Sequence, residues 1–271
     1  MPSCTLYVFS GSGNTDYMAK KIKEQFKKKN FETDIQYIDK LRKAPPTNVE
    51  YIGIGFPVYG GTIPKNVQSF LEMFPKSQKT TQKAFVFATY SKTPYNAIQN
   101  AANFLYDKNY HVLRSRGFKM PNTYTISNSS RYNRLPKEYE IKLIYDAANQ
   151  VKSYVDEILV GREEIEATWG FLGGIATALM GSIFNSMTAP SLAKKLYVNE
   201  KCNSCKLCVK WCPVRSIKME ENKPVFLEHC INCSRCYNYC PRKAIVSPDV
   251  GTDEYKYQMN DFKPPEVNDI K

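Results

Sequence analysis

Short apolar runs alternate with segments of helical spacing along the first 160 residues. Thr5 to Phe9 is a β-rich run, and Asn14 to Lys29 places apolar side chains three and four apart. Phe31 to Ile38 alternates, and Pro45 and Pro46 then break the chain. Tyr51 to Phe56 is a further apolar run, followed by a Pro/Gly turn and a helical stretch from Pro64 to Phe74. Ala84 to Tyr90 (AFVFATY) is the most strand-like segment. A helix from Pro94 to Tyr106 and a strand near His111 to Phe118 come next. An Asn/Ser-rich loop, Asn122 to Asn133, leads into a long helix from about Pro136 to Leu159. This alternation predicts an α/β fold, a doubly wound parallel sheet of five strands with helices on both faces. In such open sheets ligands bind beyond the carboxyl ends of the strands.

The pattern changes after residue 160. Between Glu166 and Lys194 no residue is charged. The stretch is long enough to span a bilayer. Its Gly170, Gly173, Gly174, Gly181 and Asn185 favour a buried connector helix instead, so a membrane role is not expected. From Cys202 onward cysteines are dense, and only brief β runs occur, at Val225 to Leu227 and Ala244 to Val246. Thr252 to Lys271 is polar, contains a Pro-Pro pair and reads as a surface tail. The expected division is therefore 1–160, an apolar connector at 161–196, a small α+β domain at 197–250 and a tail at 251–271.

Composition narrows the function classes. Hydrophobic residues make up 42% and charged residues 24% of the 271, which supports a real core and excludes wholesale disorder or a collagen-like fibre. Two histidines exclude a His-rich metal enzyme. The net charge is +12, and residues 1–165 hold 24 basic against 15 acidic side chains. A basic surface favours acidic partners. The densest run, Lys20 to Lys29 (KKIKEQFKKK), reads as the solvated face of a helix that buries Ile22 and Phe26. No nucleic-acid-binding motif accompanies it, so nucleic acid is not an expected partner. The opening apolar run is too short for a signal-peptide core and lacks a basic lead-in. A cytoplasmic location is expected, where cysteines do not form a disulfide framework.

Eight of the nine cysteines repeat one pattern. Cys202, Cys205, Cys208 and Cys212 form C-x2-C-x2-C-x3-C before Pro213, and Cys230, Cys233, Cys236 and Cys240 form it again before Pro241. This is the run that binds two [4Fe-4S] clusters in bacterial ferredoxins, with the fourth cysteine of each run ligating the other cluster. The expected ligand sets are Cys202, Cys205, Cys208 and Cys240 for cluster one, and Cys230, Cys233, Cys236 and Cys212 for cluster two. Structural zinc uses paired C-x2-C and has no need of two such complete runs. Cys4, at the start of the first strand, reads as a buried inert thiol.

After the first strand, Ser10-Gly11-Ser12-Gly13-Asn14-Thr15 opens a helix. Hydroxyls and backbone N–H groups at a helix N-terminus make an anion site with no cationic side chain. The loop is neither G-x-G-x-x-G nor a Walker loop, and alone it reads also as a plain Gly/Ser turn. Two further loops leave the same sheet edge: Pro57-Val58-Tyr59-Gly60-Gly61-Thr62, and Thr89-Tyr90-Ser91 with Tyr95 nearby. A phosphate site flanked by aromatic loops suits a flat ring with a phosphate tail.

On SGSGNT, PVYGGTIP and ATYS, residues 3–160 resemble flavodoxin, and with the cysteine runs the whole chain resembles the flavodoxin–bacterial-type ferredoxin fusions of anaerobic prokaryotes. The resemblance implies FMN, with its phosphate on Ser10 to Thr15, Tyr59 against the isoalloxazine, and Gly60 at the position whose peptide turns toward flavin N5. It implies a second aromatic from Tyr90 or Tyr95. Two departures stand out: the chain is basic where such proteins are usually acidic, and Gly61 and Thr62 stand where acids are common. The expected function is electron relay between two [4Fe-4S] clusters and FMN, with an acidic ferredoxin or flavodoxin as partner. The alternatives are an FMN-dependent reductase of a small organic acceptor fed by the clusters, and an iron–sulfur module without flavin.

Overall fold

The computed structural model describes residues 1–41, 45, 47–124, 126, 135–166, 193–248, 256–259 and 263–265. The connector, 167–192, and most of the Asn/Ser-rich loop lie outside the described residues. The N-terminal domain runs β1 (Ser3–Val8), α1 (Asn14–Lys28), β2 (Glu32–Tyr37), β3 (Tyr51–Pro57), α2 (Lys65–Met73), β4 (Lys83–Tyr90), α3 (Ala97–Tyr106), β5 (His111–Lys119), α4 (Lys137–Leu159) and β6 (Glu164–Ile165). The sheet order is β2-β1-β3-β4-β5-β6, and every pairing is parallel. Five strands were expected. The sixth is a two-residue addition beyond residue 160, too short for any periodicity to show.

Alternation along the strands sends side chains to two cores. Cys4, Leu6 and Val8 of β1 pack with Met18, Ala19, Ile22 and Phe26 of α1 and with Ala147, Val151, Val155 and Ile158 of α4. Tyr7 of β1, followed by Phe9, packs on the other face with Val67, Phe70 and Leu71 of α2 and Ile98, Ala101 and Leu105 of α3. Ile22 and Phe26 are fully buried while the lysines of α1 lie on its outer side, as the amphipathic reading of that run requires. Each such large apolar side chain contributes about 1.5–3 kcal/mol on burial. Cys4 is buried, and burial pushes its thiol well above the usual range, so it is inert. The strand order makes the β1/β3 crevice the switch point, where the sheet reverses direction of winding.

The C-terminal domain is small: β7 (Tyr197–Val198), α5 (Leu207–Trp211), β8 (Ile217–Glu220), β9 (Lys223–Phe226), α6 (Arg235–Tyr239) and β10 (Ile245–Val246). β7 pairs antiparallel with β10, and β8 with β9. Within residues 256–259, Tyr257 and Met259 are buried and pack into the α1/α4 core, while Gln258 between them is exposed. This part of the expected surface tail is therefore held down, by two apolar side chains that its polar neighbours mask in the sequence. Among the described residues no helix is long and apolar enough to cross a membrane.

Candidate flavin and cluster sites

The loop after β1 is buried throughout its polar residues: Ser10, Ser12, Asn14 and Thr15 are each under a tenth exposed. Gly13 caps α1 with φ 105°, a left-handed conformation that favours glycine, and its N–H donates to Ser10 Oγ at 3.1 Å. The Thr15 hydroxyl bonds that of Thr89 at 2.8 Å, and Asn14 Nδ2 donates to the Pro121 carbonyl at 3.0 Å. In the second loop Tyr59 and Thr62 exchange backbone hydrogen bonds of 3.1 and 3.0 Å around Gly60 and Gly61. Both glycines have positive φ, 56° and 79°, as a two-residue turn of type I′ demands. Val58 N–H donates to the Thr89 carbonyl at 2.8 Å and ties the second loop to the third.

These loops line one open pocket at the carboxyl edge of the sheet. Its walls include Ser10, Gly11, Ser12, Asn14, Thr15, Pro57, Val58, Tyr59, Thr89, Tyr90 and Ser91. Gly13, Gly60, Gly61 and Tyr95 were expected with them but are not among the walls. Gly13 caps the helix behind the loop and the two glycines form the turn. Tyr95 packs its ring on Gly61, where an added β-carbon would lie 2.7 Å from it. Between the two candidate aromatics, Tyr90 is the one that lines the pocket. Pro121, Asn122, Thr123 and Tyr124 complete the walls and were missed. Their only signal is position, since they follow β5 at the same sheet edge as the other loops. Among the described residues no wall residue carries a carboxylate, imidazole, ammonium or guanidinium group. A neutral lining of backbone amides, hydroxyls and tyrosine rings fits a flavin mononucleotide.

The cysteine domain repeats its backbone as well as its sequence. α5 and α6 lie 28 positions apart, residue for residue. Ser204, Lys206 and Arg215 have positive φ, and so do Asn232, Ser234 and Lys243, the same positions 28 residues on. Ser216 N–H donates to Cys212 Sγ at 3.1 Å, and Ala244 N–H to Cys240 Sγ at 3.3 Å, again at equivalent positions. Such N–H···S bonds support thiolate ligands.

Cys202, Cys205, Cys208 and Cys240 line one pocket, whose other walls include Val198, Leu207, Met219, Pro224 and Ile245. Cys208 feels the charges of Cys240, Cys205 and Cys202, and burial pushes its thiol up to about 11. Burial pushes the Cys236 thiol well up, and the neighbouring Cys233, Cys230, Cys212 and Cys208 add to the shift. Burial likewise pushes Cys230 up to about 11 and Cys233 up to about 12. One pocket thus brings together three cysteines of the first run and the last cysteine of the second. Among the described residues no group of three His, Cys, Asp or Glu is arranged to hold a single metal ion. All nine cysteines are free of disulfides. Four thiols about an apolar cavity fit a cluster with a volume of its own.

The two sites meet. A β-carbon at Gly11 would lie 2.2 Å from Tyr59 Oη and 2.6 Å from the Cys233 carbonyl oxygen. Only glycine allows the cysteine loop and the tyrosine to come so close. Burial pushes the Tyr59 phenol well up, and Cys233 and Cys230 add to the shift. Arg235, 1% exposed, donates from Nη1 to Asp39 Oδ2 at 2.6 Å and to the Trp211 carbonyl at 2.9 Å, and from Nη2 to the Ser10 carbonyl at 2.7 Å. Its guanidinium carbon sits 5.6 Å from the centre of the Phe9 ring. Tyr237 and Tyr239 are buried beside it, and Trp211 packs against the α1/α4 core. Neither Arg235 nor Asp39 was singled out from sequence, where each is one charged residue among many.

A flavodoxin family model matches residues 7–120, and a model described as a 4Fe-4S dicluster domain matches residues 194–241. A search of curated proteins finds no match. Among solved structures, a flavodoxin from the domain Archaea is 14% identical, with a TM-score of 0.40, covering 58% of this chain and 99% of its own. The two-electron reduced flavodoxin of Megasphaera elsdenii is 18% identical, with a TM-score of 0.38, covering 54% and 98%. An azoreductase from Bacillus anthracis is 9% identical, with a TM-score of 0.39, covering 58% and 100%. The chain joins a flavodoxin domain to a 4Fe-4S dicluster domain, the make-up of a flavodoxin–ferredoxin fusion, and it is an electron-transfer protein of the flavin and iron–sulfur kind.

Proposed function

We propose that FMN occupies the pocket between Ser10–Thr15, Tyr59 and Tyr90, and that two [4Fe-4S] clusters are held by the crossed cysteine sets, Cys202, Cys205, Cys208 and Cys240 in one and Cys230, Cys233, Cys236 and Cys212 in the other. When bound, the clusters supply one-electron chemistry and FMN one- or two-electron chemistry. Residues of the two sites touch. Cys233 lies against Gly11 and Tyr59 of the flavin pocket, and this contact carries the reading. The set containing Cys233 is the inner one. The set containing Cys205 is the outer one, because Cys205 is exposed. With the groups bound, this order would let electrons pass between a partner and FMN by way of the outer and inner clusters, in either direction.

Charge supports an acidic partner, a ferredoxin or flavodoxin. The net charge is +12, and Lys201, Lys206, Lys210, Arg242 and Lys243 are exposed around the outer set. Attraction of this kind acts chiefly on the association rate.

The test is anaerobic purification with iron, sulfide and flavin quantitation, followed by stopped-flow reduction by an acidic ferredoxin. About eight irons are expected, four for each cluster, together with one FMN per chain. The reduction rate should fall as salt rises. Colourless protein, or zinc in place of iron, sinks the proposal, and a salt-independent rate sinks the acidic partner.

A further inference from the structure

An anion-binding loop has to turn its N–H groups toward the anion and its carbonyl oxygens away, because lone pairs facing a phosphate repel it. In a Gly/Ser loop little within the loop itself enforces this, since glycine backbone is free to rotate. Here three successive carbonyls are held from outside. Arg235 Nη2 donates to the Ser10 oxygen at 2.7 Å, Arg235 Nε to the Gly11 oxygen at 3.4 Å, and Tyr239 Oη to the Ser12 oxygen at 3.0 Å. Both donors sit on α6, the short helix that carries Cys236. Asp39 and the Trp211 carbonyl fix the guanidinium in turn. Tyr257, from the segment that folds back over the seam, donates to Asn14 Oδ1 at 2.6 Å and secures the next polar residue of the loop.

We propose that the inner-cluster helix is a working part of the flavin's phosphate site, with Arg235 and Tyr239 as positioning residues that hold the Ser10, Gly11 and Ser12 carbonyls outward so that the loop amides face the pocket. The inference rests on the FMN reading above. The guanidinium is neutralised in place by Asp39, so its part is to hold the loop carbonyls rather than to offer the phosphate a net charge. The equivalent position in the first cysteine run is Leu207, which has no donor to offer, so the device belongs only to the run that meets the flavin domain. Linkage then works in both directions: flavin binding tightens the seat of the inner cluster, and loss of that cluster loosens the flavin.

The test is anaerobic titration of the flavin-free full chain, clusters intact, with FMN, followed by quenching of flavin fluorescence and by the ³¹P resonance of the bound phosphate. The paired substitution Arg235→Leu with Asp39→Asn removes the cation without leaving a buried carboxylate charged. It is expected to weaken FMN about tenfold or more, roughly 1.4 kcal/mol per factor of ten, and to shift the ³¹P signal at unchanged iron content. Tyr239→Phe keeps the packing and is expected to weaken FMN about threefold, as loss of a single neutral hydrogen bond would. Should the paired variant lose iron, Tyr239→Phe and the wild-type chain stripped of iron decide the matter; the stripped chain should also bind FMN more weakly. FMN affinity and ³¹P shift unchanged in Tyr239→Phe and in the stripped chain overturn the inference. Failure of the intact wild-type chain to bind FMN falls instead on the underlying reading.

Discussion

Lys206 and Ser234 hold the same place in the 28-residue repeat, both in left-handed backbone at φ 61° and 55°, yet Lys206 lies in solvent and Ser234 is buried. The contrast extends along both runs. Cys205 is exposed and Cys233 buried, Lys210 is exposed and its counterpart Asn238 fully buried, and Leu207 is replaced by Arg235. One backbone plan thus serves two surroundings. The first run keeps ammonium groups where water can solvate them. The second, pressed on the flavodoxin domain, replaces them with short polar side chains and with one cation whose hydrogen bonds are met by Asp39 and by loop carbonyls. The lesson is that a repeated cysteine fold tolerates wide variation between its cysteines, and that this variation accompanies which run faces outward.

The comparison is broken most forcefully at Arg235. Arg235→Leu alone, which gives the second run the residue of the first, leaves Asp39 buried without its cation. It should cost about 3–5 kcal/mol in denaturant unfolding, whereas Lys206→Ser in the first run should stay within about 0.5 kcal/mol. Gly11→Ala comes next. Its β-carbon would meet Tyr59 and the backbone of Cys233, so the seam must open, at a cost of about 1–3 kcal/mol. Slowed electron transfer between cluster and flavin after a laser-flash reduction would report that opening, and an unchanged rate would argue against the close seam.

Iron release sharpens the difference further. Under a chelator with limited oxygen, the visible absorbance should decay in two phases, the faster from the exposed set containing Cys205. Flavin fluorescence should stay quenched through the first phase and rise in the second. A single phase, or early release of flavin, contradicts the assignment of inner and outer clusters. The smallest effect expected is a control remote from both runs. Glu164, bonded to Arg114 at 2.5 Å, is held below the usual carboxylate range by that hydrogen bond and by the guanidinium charge. Its contribution is present above about pH 4.5 and fades as pH falls through the lowered folded value. Wild type and Glu164→Gln should therefore differ slightly at neutral pH and converge in acid, with both clusters unaffected.

Much was legible before any coordinates. Strand and helix positions emerged from periodicity because a two-sided sheet demands long apolar runs flanked by amphipathic helices, as β4 and α1 show. The two proposed ligand groups were read from cysteine spacing alone, in the intervals of Cys202 to Cys208 and Cys230 to Cys236, and Cys202, Cys205, Cys208 and Cys240 line one pocket. The short strand Glu164–Ile165 was not legible, nor the burial of Tyr257 and Met259, nor the wall formed by Pro121 to Tyr124. Two-residue strands and isolated anchors carry no period, and a loop reveals itself as a wall only when the strand before it is placed.

By itself the amino-acid order determined a parallel α/β domain, a twofold cysteine plan and a loop able to take an anion. Each is a local matter of spacing within a few tens of residues. Only the tertiary structure decided which cysteine set lies against the flavin pocket and that Arg235 grips the loop 224 positions before it. Such contacts depend on how two independently patterned surfaces meet, and no periodicity along a chain encodes the partner of a single buried charge.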